Sequence, residues 1–232
     1  PSKFDWSYYE NTERSCAKKH KIVRDLTPLS FYATVVAPHY DIENKILLVH
    51  DPRSTTKNYY GYTTPHFANM VGGTADVLTM VTLDDLKQAS IASIKAQTPV
   101  WIACDVGKDF SPERGVLSTE LFDYDLLLDS KMSLSKADQL TYRVSTPSHA
   151  MLLVGVDLDD KDCPSKWRIE NSWGDGGYDP GYLMMTDKWF DEYNYEIVVD
   201  KKYLTPEILD LFKKDPQPLE PWDPMGALAL AL

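Results

Sequence analysis

Two apolar, strand-like runs constrain this chain most, because each places a polar side chain at one end. His149 opens the first run, residues 149–156, and Asn171 follows the second, residues 166–170. The two side chains are 22 residues apart in sequence, and the polar segment 157–165 between the runs suits a hairpin loop. Antiparallel pairing of the runs would bring the Asn171 amide beside the His149 imidazole. The sequence therefore predicts a histidine–asparagine pair held by two neighbouring strands.

This pair is suited to general-base chemistry. A neutral amide oxygen orients an imidazole and leaves it free to carry a positive charge, and an imidazolium stabilises a neighbouring thiolate. Trp173 lies two residues after Asn171, and an indole over the pair would keep water from competing for its hydrogen bond. Singly, a histidine at a strand start, an asparagine at a strand end and a tryptophan before glycine are most often packing or turn residues. Together they favour the base-bearing half of a thiol peptidase with a Cys-His-Asn site.

Charge and composition disfavour several other classes. The formal net charge of −11 at pH 7 disfavours a phosphate-binding surface, and the basic cluster at residues 18–21 is short. No apolar run approaches the roughly 20 residues of a membrane-spanning helix, and residues 1–5 lack the apolar segment of a signal peptide. Three cysteines without a Cys-x-x-Cys pair, and no Asn-x-Ser/Thr sequon, favour a reducing, cytoplasmic compartment. We therefore expect neither a nucleic-acid nor a membrane partner.

Periodicity and helix-start signals predict an α+β fold in three segments. Residues 1–72 form a lead-in rich in aromatic residues and loops, residues 73–204 form a mainly antiparallel, partly closed barrel, and residues 205–232 form a helix and an extended arm. Helices are predicted to begin after Thr27, Thr82 and Thr205, with a further short helix around Trp189. Strands are predicted over residues 46–49, 99–104, 150–156, 166–170, 181–185 and 195–199.

The same stretches carry a family resemblance. Residues 148–156, residues 166–174 with the sequence Lys-Trp-Arg-Ile-Glu-Asn-Ser-Trp-Gly, and residues 181–182 resemble the His and Asn segments of papain-like cysteine peptidases. Residues 186–193 and 222–227 resemble more closely the bleomycin hydrolase and aminopeptidase C branch of these peptidases. The resemblance covers nearly the whole chain. It implies a papain-like cysteine peptidase fold, of which this chain is the C-terminal half, with an antiparallel β-barrel-like domain and flanking helices.

The resemblance also implies an activity and roles for three residues. It implies a cytoplasmic thiol aminopeptidase that removes N-terminal residues from peptides and assembles as a hollow homo-oligomer, usually a hexamer. His149 matches the general base of the family, Asn171 matches the residue that orients it, and Trp173 matches the indole that covers their bond. No metal and no cofactor is implied.

The way in which substrate binds is likewise implied by the resemblance. Ser148 and Ala150, which flank the histidine, match residues that line the substrate cleft. The C-terminal arm would enter this cleft, so that the carboxylate of Leu232 receives the free amine of a peptide. The expected partners are therefore peptides with a free N-terminus, which are trimmed one residue at a time.

Two features depart from the pattern of the family. Its nucleophile lies in a Gln…Gly-x-Cys-Trp segment, and none of Cys16, Cys104 and Cys163 has that context. The glutamine that would donate to the oxyanion is absent with it. The Ala/Leu tail, residues 227–232, is longer than that of the family, which would displace the terminal carboxylate. We therefore predict that this chain works with a Cys-bearing N-terminal half and is inactive alone.

Two other hypotheses are kept beside this one. The first is a non-catalytic binding or assembly module that kept the peptidase fold and lost the nucleophile half. A Cys-Trp segment upstream in the same reading frame would discriminate against it. The second is a metal hydrolase that uses His39, His50 or His66, but no two of these have a recognised ligand spacing such as His-Glu-x-x-His.

Overall fold

The computed structural model describes residues 2–11, 18–65, 72–73, 76–174 and 179–225. The chain forms two compact units, residues 1–45 and residues 46–232. This division differs from the segment boundary predicted after residue 72, because the strands that follow residue 45 pair within the larger unit.

The described ranges contain both helices and strands. The α-helices are α1 (Pro28–Phe31), α2 (Leu83–Lys95), α3 (Tyr124–Leu128), α4 (Lys136–Thr141), α5 (Asp187–Tyr193) and α6 (Pro206–Leu211). A π-helical turn (Tyr32–Val36) and two 3-10 turns (Ile42–Asn44 and Lys201–Tyr203) accompany them. The strands are β1 (Phe4–Asn11), β2 (Lys18–Leu26), β3 (Lys45–Val49), β4 (Tyr60–Thr63), β5 (Val77–Met80), β6 (Val100–Cys104), β7 (Phe110–Ser111), β8 (Val116–Leu117), β9 (His149–Leu158), β10 (Pro164–Glu170), β11 (Tyr182–Thr186), β12 (Asn194–Asp200) and β13 (Gln217–Pro218). No helix in these ranges is both long and apolar enough to cross a membrane.

The predicted helix starts are confirmed, and threonine caps explain them. The hydroxyls of Thr27, Thr82 and Thr205 each accept a hydrogen bond from a backbone N–H in the first turn of α1, α2 and α6. In α2 the cap is reciprocal, because the Asp85 carboxylate accepts from the backbone N–H of Thr82. The short helix predicted around Trp189 is α5.

The smaller unit is built on an antiparallel hairpin of β1 and β2. The Trp6 ring stacks on Tyr8, with ring centroids 4.5 Å apart, and meets the edge of Phe31 of α1 at 5.2 Å. The prediction of a loop-rich lead-in missed this hairpin. Most side chains of β2 are exposed, and only Leu26 is buried. The amino-acid sequence of this strand is therefore as polar as that of a typical loop.

The larger unit is organised by one sheet. The eleven strands described in it run in the order β13-β4-β5-β3-β12-β6-β9-β10-β11-β8-β7. Its centre is antiparallel, as predicted, and the six predicted strands correspond to β3, β6, β9, β10, β11 and β12 with ends shifted by one or two residues. Parallel pairs join β3 to β5, β4 to β13 and β8 to β11. These pairs were not predicted, because the periodicity of a segment does not specify its partner.

The main core lies between the sheet and α2. Leu86 and Ile91 of α2 pack with buried residues of the central strands, among them Ile102, Leu153 and Ile197. The alternate residues of the same strands project to the other face, where Trp101 is 37% exposed. The central strands therefore have one covered face and one open face.

A buried ion cluster holds the C-terminal segment against the sheet. The Arg53 guanidinium donates to Asp51 at 2.6 Å and to Asp223 at 2.8 Å, and both Asp51 and Arg53 are buried. β13 pairs with β4, and Leu219 and Met225 enter a second apolar cluster. The described part of the predicted arm is therefore anchored, and residues 226–232 lie outside the described ranges.

Candidate active site

The structure brings His149 and Asn171 together as the sequence predicted. His149 is the first residue of β9, β9 pairs antiparallel with β10, and Asn171 follows β10. His149 Nε2 lies 3.0 Å from Asn171 Oδ1, which is a hydrogen-bond distance. The imidazole is half-buried.

The orientation of the Asn171 amide decides which ring nitrogen of His149 is free. Asn171 Oδ1 also accepts from the backbone N–H of Ser172 at 2.8 Å, which fixes it as the oxygen. Because a carbonyl oxygen only accepts, His149 Nε2 carries the proton in this contact. His149 Nδ1 is then left with a lone pair that can take a proton from a nucleophile. Asn171 Nδ2 is buried and has no hydrogen-bond partner in the described part of the chain.

Two aromatic rings cover one side of the imidazole. The Trp173 ring centroid lies 4.9 Å from that of His149, at an interplanar angle of 35°. Phe110 of β7 lies behind the indole, with centroids 5.9 Å apart. The indole is 56% exposed, so it shields the histidine–asparagine hydrogen bond on one side only. The sequence singled out Trp173 but not Phe110, which reaches the site through a strand pairing that no local pattern marks.

The residues that flank the histidine are exposed, as a cleft lining requires. Ser148 Oγ donates to Asp105 Oδ1 at 3.3 Å, and Ala150 pairs with Ala103 of the neighbouring strand β6. Sequence reasoning missed Asp105 and Ala103, although both lie in or next to the predicted strand at residues 99–104. Leu232, which was predicted to bind the substrate amine, lies outside the described residues.

Neither described cysteine is placed to serve as the nucleophile that gives its proton to this imidazole. Cys104 is fully buried, its Sγ donates to the backbone oxygen of His149 at 3.7 Å, and burial raises the pKa of its thiol to about 12. A neutral thiol directed at a carbonyl cannot attack a substrate. Cys163 is exposed in the loop at the other end of β9, about 30 Å along the strand from His149 at roughly 3.3 Å per residue. Cys16 lies outside the described residues.

Of the three histidines considered as metal ligands, His50 has a structural partner, His39 is exposed in the smaller unit, and His66 lies outside the described residues. His50 Nδ1 lies 3.2 Å from the backbone oxygen of Val81, and burial lowers the pKa of the imidazole to about 4. Within the described ranges no group of three or more His, Cys, Asp or Glu side chains is arranged to hold a metal ion.

Comparison with known proteins agrees with this fold. Residues 1–226 match the family model described as the Peptidase C1-like family. The chain is 42% identical over 232 residues to bleomycin hydrolase of Homo sapiens, an alignment that covers 99% of this chain and 50% of that protein. It is 36% identical over 229 residues to aminopeptidase C of Streptococcus thermophilus, with the same coverage. The crystal structure of PepW from Lactobacillus rhamnosis superposes with a TM-score of 0.87 at 35% identity, covering 97% of this chain and 49% of that one.

The fold is that of the papain-like cysteine peptidases. The chain belongs to the Peptidase C1-like family, in the branch that contains bleomycin hydrolase and aminopeptidase C. It spans about half the length of the curated relatives that it matches, as a C-terminal portion would.

Proposed function

We propose that this chain supplies the general base and its orienting residue, His149 and Asn171, to a cysteine aminopeptidase. The nucleophilic cysteine would come from a segment outside these 232 residues, and the chain alone would be inactive. The observation that carries the proposal is the 3.0 Å contact between His149 Nε2 and Asn171 Oδ1. This contact leaves Nδ1, rather than Nε2, to face an incoming thiol.

The chemistry follows from that geometry. His149 Nδ1 takes the proton of the cysteine thiol, and the resulting imidazolium stabilises the thiolate that attacks the peptide carbonyl. The imidazolium then donates its Nδ1 proton to the leaving amine, and His149 activates the water that hydrolyses the acyl-enzyme. Asn171 holds the ring plane through both proton transfers, and as a neutral amide it does not remove the positive charge from the pair.

The need for an outside nucleophile is supported by the described cysteines. Cys104 is a buried thiol with a raised pKa, and Cys163 lies at the far end of β9. A peptidase of this class requires a thiolate within reach of the imidazole. We therefore propose that a Cys-bearing N-terminal half is a partner of this chain, within one polypeptide or as a separate one.

The experiment measures hydrolysis of aminoacyl-coumarin substrates by the 232-residue chain and by the longer protein that includes the upstream segment. Activity that is sensitive to thiol alkylation is expected in the longer protein only. In that protein, Asn171→Ala is expected to lower kcat by about 10- to 100-fold, because the imidazole loses its orientation. Asn58→Ala, which changes an exposed asparagine, is the matched control.

The outcomes separate the two main hypotheses. Thiol-dependent cleavage by the isolated chain that survives Cys104→Ser and Cys163→Ser would contradict the proposed division of the site. Absence of any activity in a longer protein that lacks a cysteine in the cleft would favour the non-catalytic binding module instead.

Three features of the whole protein are proposed with this function. Its substrates would be peptides with a free N-terminus, its location would be cytoplasmic, and it would assemble as a homo-hexamer. The carboxylate of Leu232 is proposed to receive the substrate amine. Light scattering of the longer protein tests the hexamer, and deletion of residues 226–232 tests the terminal carboxylate through loss of exopeptidase selectivity.

A further inference from the structure

Lys136, the first residue of α4, is a buried lysine whose amine reaches the end of α5. Its Nζ donates to the backbone oxygen of Asp191 at 2.8 Å and to that of Asn194 at 2.5 Å. It also lies 4.7 Å from the centroid of the Tyr195 ring, which is a cation–π distance. The last carbonyls of a helix have no partner within the helix, and an ammonium group binds them with charge-assisted hydrogen bonds. The lysine therefore fastens α4 to the junction of α5 and β12.

This junction is also the start of a row of paired residues that ends at His149. Asn194 of β12 is paired with Cys104 of β6, and Cys104 is paired with His149 of β9. The backbone oxygen of Cys104 accepts from the backbone N–H of Ser148 at 3.0 Å, and Cys104 Sγ donates to the backbone oxygen of His149. Two strand pairings therefore separate the backbone that Lys136 binds from the backbone that carries the imidazole.

The segment that leads from α4 into β9 is held on β12 at a second point. This lead-in covers residues 142–148, and Ser145 lies near its middle. The Tyr195 hydroxyl donates to Ser145 Oγ at 2.7 Å, and both side chains are buried. Tyr195 also supplies the ring beneath the Lys136 amine. The start of α4 and the lead-in are therefore both tied to the residues that begin β12, just before the chain reaches His149.

The charge of the Lys136 amine changes near neutral pH. Burial lowers its pKa to about 7, against the opposing attraction of Glu192, Asp191 and Asp51, and the positive charge of Lys87 lowers it slightly further. The ammonium form therefore predominates below pH 7, and the neutral amine predominates above it. Because a neutral amine is the weaker donor, its hold on the two carbonyls weakens as pH rises.

Other titratable groups also face this amine. Burial lowers the pKa of the His50 imidazole to about 4 and raises the pKa of the Tyr195 phenol, so both are neutral at pH 6 and at pH 8. Burial also raises the pKa of the Asp191 and Glu192 carboxyls of α5. A pH effect that belongs to Lys136 must therefore be identified as one that disappears when the lysine is replaced.

We propose that Lys136 is a positioning residue for His149, because its ammonium group holds the junction of α5 and β12 from which the imidazole is set against Asn171. It acts through the backbone of three paired strands and not by contact with the substrate. This inference rests on the proposed function, since the position of His149 affects a rate only if His149 acts as the base.

The first test measures kcat and KM of the longer, active protein at pH 6. Lys136→Met keeps the length of the side chain and removes the ammonium group. It is expected to lower kcat by about 10- to 100-fold with KM changed less, because the base is displaced from the reacting atoms.

Lys87→Met is the matched control, because it removes a second buried lysine that binds the same helix. Lys87 ties α5 to α2 through Asp187 at 2.7 Å, away from the junction with β12. This variant is expected to lower the melting temperature at least as much as Lys136→Met and to change kcat by less than about twofold. Equal losses of kcat in the two variants would show a general effect of stability and would overturn the inference.

The second readout is the ratio of kcat between the parent and Lys136→Met at two pH values. The imidazole and the nucleophile titrate in both proteins, so their contributions largely cancel in this ratio. The ratio is expected to fall by about threefold or more between pH 6 and pH 8, because the parent loses its ammonium group. A ratio that does not change with pH would show that the charge has no positioning role and would overturn the inference.

A second variant keeps the inference testable if Lys136→Met does not fold. Tyr195→Phe removes only the hydroxyl that binds Ser145 and keeps the ring beneath the lysine. It loosens the lead-in and is expected to lower kcat by about 3- to 10-fold, again with KM changed less. An unchanged kcat in Tyr195→Phe would contradict the role of this junction in placing His149.

The third test requires no catalysis and uses the 232-residue chain. NMR follows exchange with water of the His149 Nε2 proton, which is hydrogen-bonded to Asn171 Oδ1 at 3.0 Å. Lys136→Met and Tyr195→Phe are expected to speed this exchange by about 10-fold and 3-fold respectively, and Lys87→Met is expected to leave it unchanged. Equal exchange in all these proteins would overturn the inference. Faster exchange without any hydrolysis by the longer protein would contradict the proposed function and leave the positioning role intact.

Discussion

The two faces of the central strands β12, β6, β9 and β10 are built from the same segments but differ in every property that matters for function. The face under α2 carries fully buried apolar residues such as Ile102, Leu153 and Ile197. The open face carries alanines, Trp101 at 37% exposure and the Glu196 carboxylate, which has no ion-pair partner among the described residues.

The difference between the two faces shows how a single strand can stabilise the fold with one face and carry polar or reactive groups on the other. Successive side chains of a strand point to opposite faces, so β9 contributes Met151 and Leu153 to the core and Ala150 and Leu152 to the open face. The covered face holds the backbone in place with buried area. Beyond the strand ends, polar groups can then stay without a hydrogen-bond partner among the described residues, as Asn171 Nδ2 does, without loss of the fold.

The largest expected effect is on activity and comes from the loss of His149. In the longer, active protein, His149→Ala is expected to lower kcat/KM by about 10³-fold or more, because the thiol loses its base. The melting temperature should hardly change, since the imidazole is half-buried. His39→Ala, at an exposed histidine of the smaller unit, is the control. Activity retained by His149→Ala would remove the proposed role of the pair.

The next effect compares the two faces directly within β9. Leu153→Ala is expected to lower the free energy of unfolding of the 232-residue chain by about 2–5 kcal/mol, because it leaves a cavity under α2. Leu152→Ala removes the same atoms from the open face and is expected to cost less than about 1 kcal/mol. Chemical denaturation measures both. Equal losses would mean that the open face is as well packed as the covered one.

A pH effect is expected from the carboxylate on the open face. The pKa of Glu196 is about 7 in the folded chain and 4.5 for an ordinary glutamate, so the folded state binds more protons between these values. The free energy of unfolding should therefore fall as pH rises from about 4.5 to about 7. Glu196→Gln should reduce this fall by about 1–3 kcal/mol. Parallel stability curves for the parent and variant would contradict the raised pKa.

The smallest expected effect concerns the indole beside the pair. Trp173→Ala is expected to lower kcat of the active protein by about 10-fold, because water then competes for the His149–Asn171 hydrogen bond. Trp173→Phe should recover part of the loss, since a ring still covers the imidazole at its present 4.9 Å spacing. A loss as large as that of His149→Ala would give the indole a role beyond shielding.

Much of the fold could be read from local patterns. The capping threonines fixed three helix starts, and the alternation of apolar residues located the six central strands. The hairpin of β1 and β2 was missed because β2 begins with four basic residues and most of its side chains are exposed, so it lacks the apolar alternation on which strand prediction depends. The boundary at residue 45 was missed because the pairings of β3 and β4 with β5 place both strands in the larger unit.

The residues of the candidate site likewise fall into those that local patterns identify and those that only the tertiary structure brings to the site. His149, Asn171 and Trp173 could be found because one hairpin holds them, and a hairpin is a local structure. Phe110, Asp105 and Ala103 could not be found in this way, since they reach the site through strands distant in sequence.

By itself the sequence determined which residues can carry the chemistry, because the spacing of two adjacent strands sets the histidine beside the asparagine. Only the tertiary structure decided what surrounds them. Whether a side chain is covered by α2 or left on the open face depends on the order of strands in the sheet, and that order is set by pairings between distant segments. Glu196 is the clearest case, since a glutamate in an apolar strand acquires its place beside Ala103 on the open face only when β12 pairs with β6.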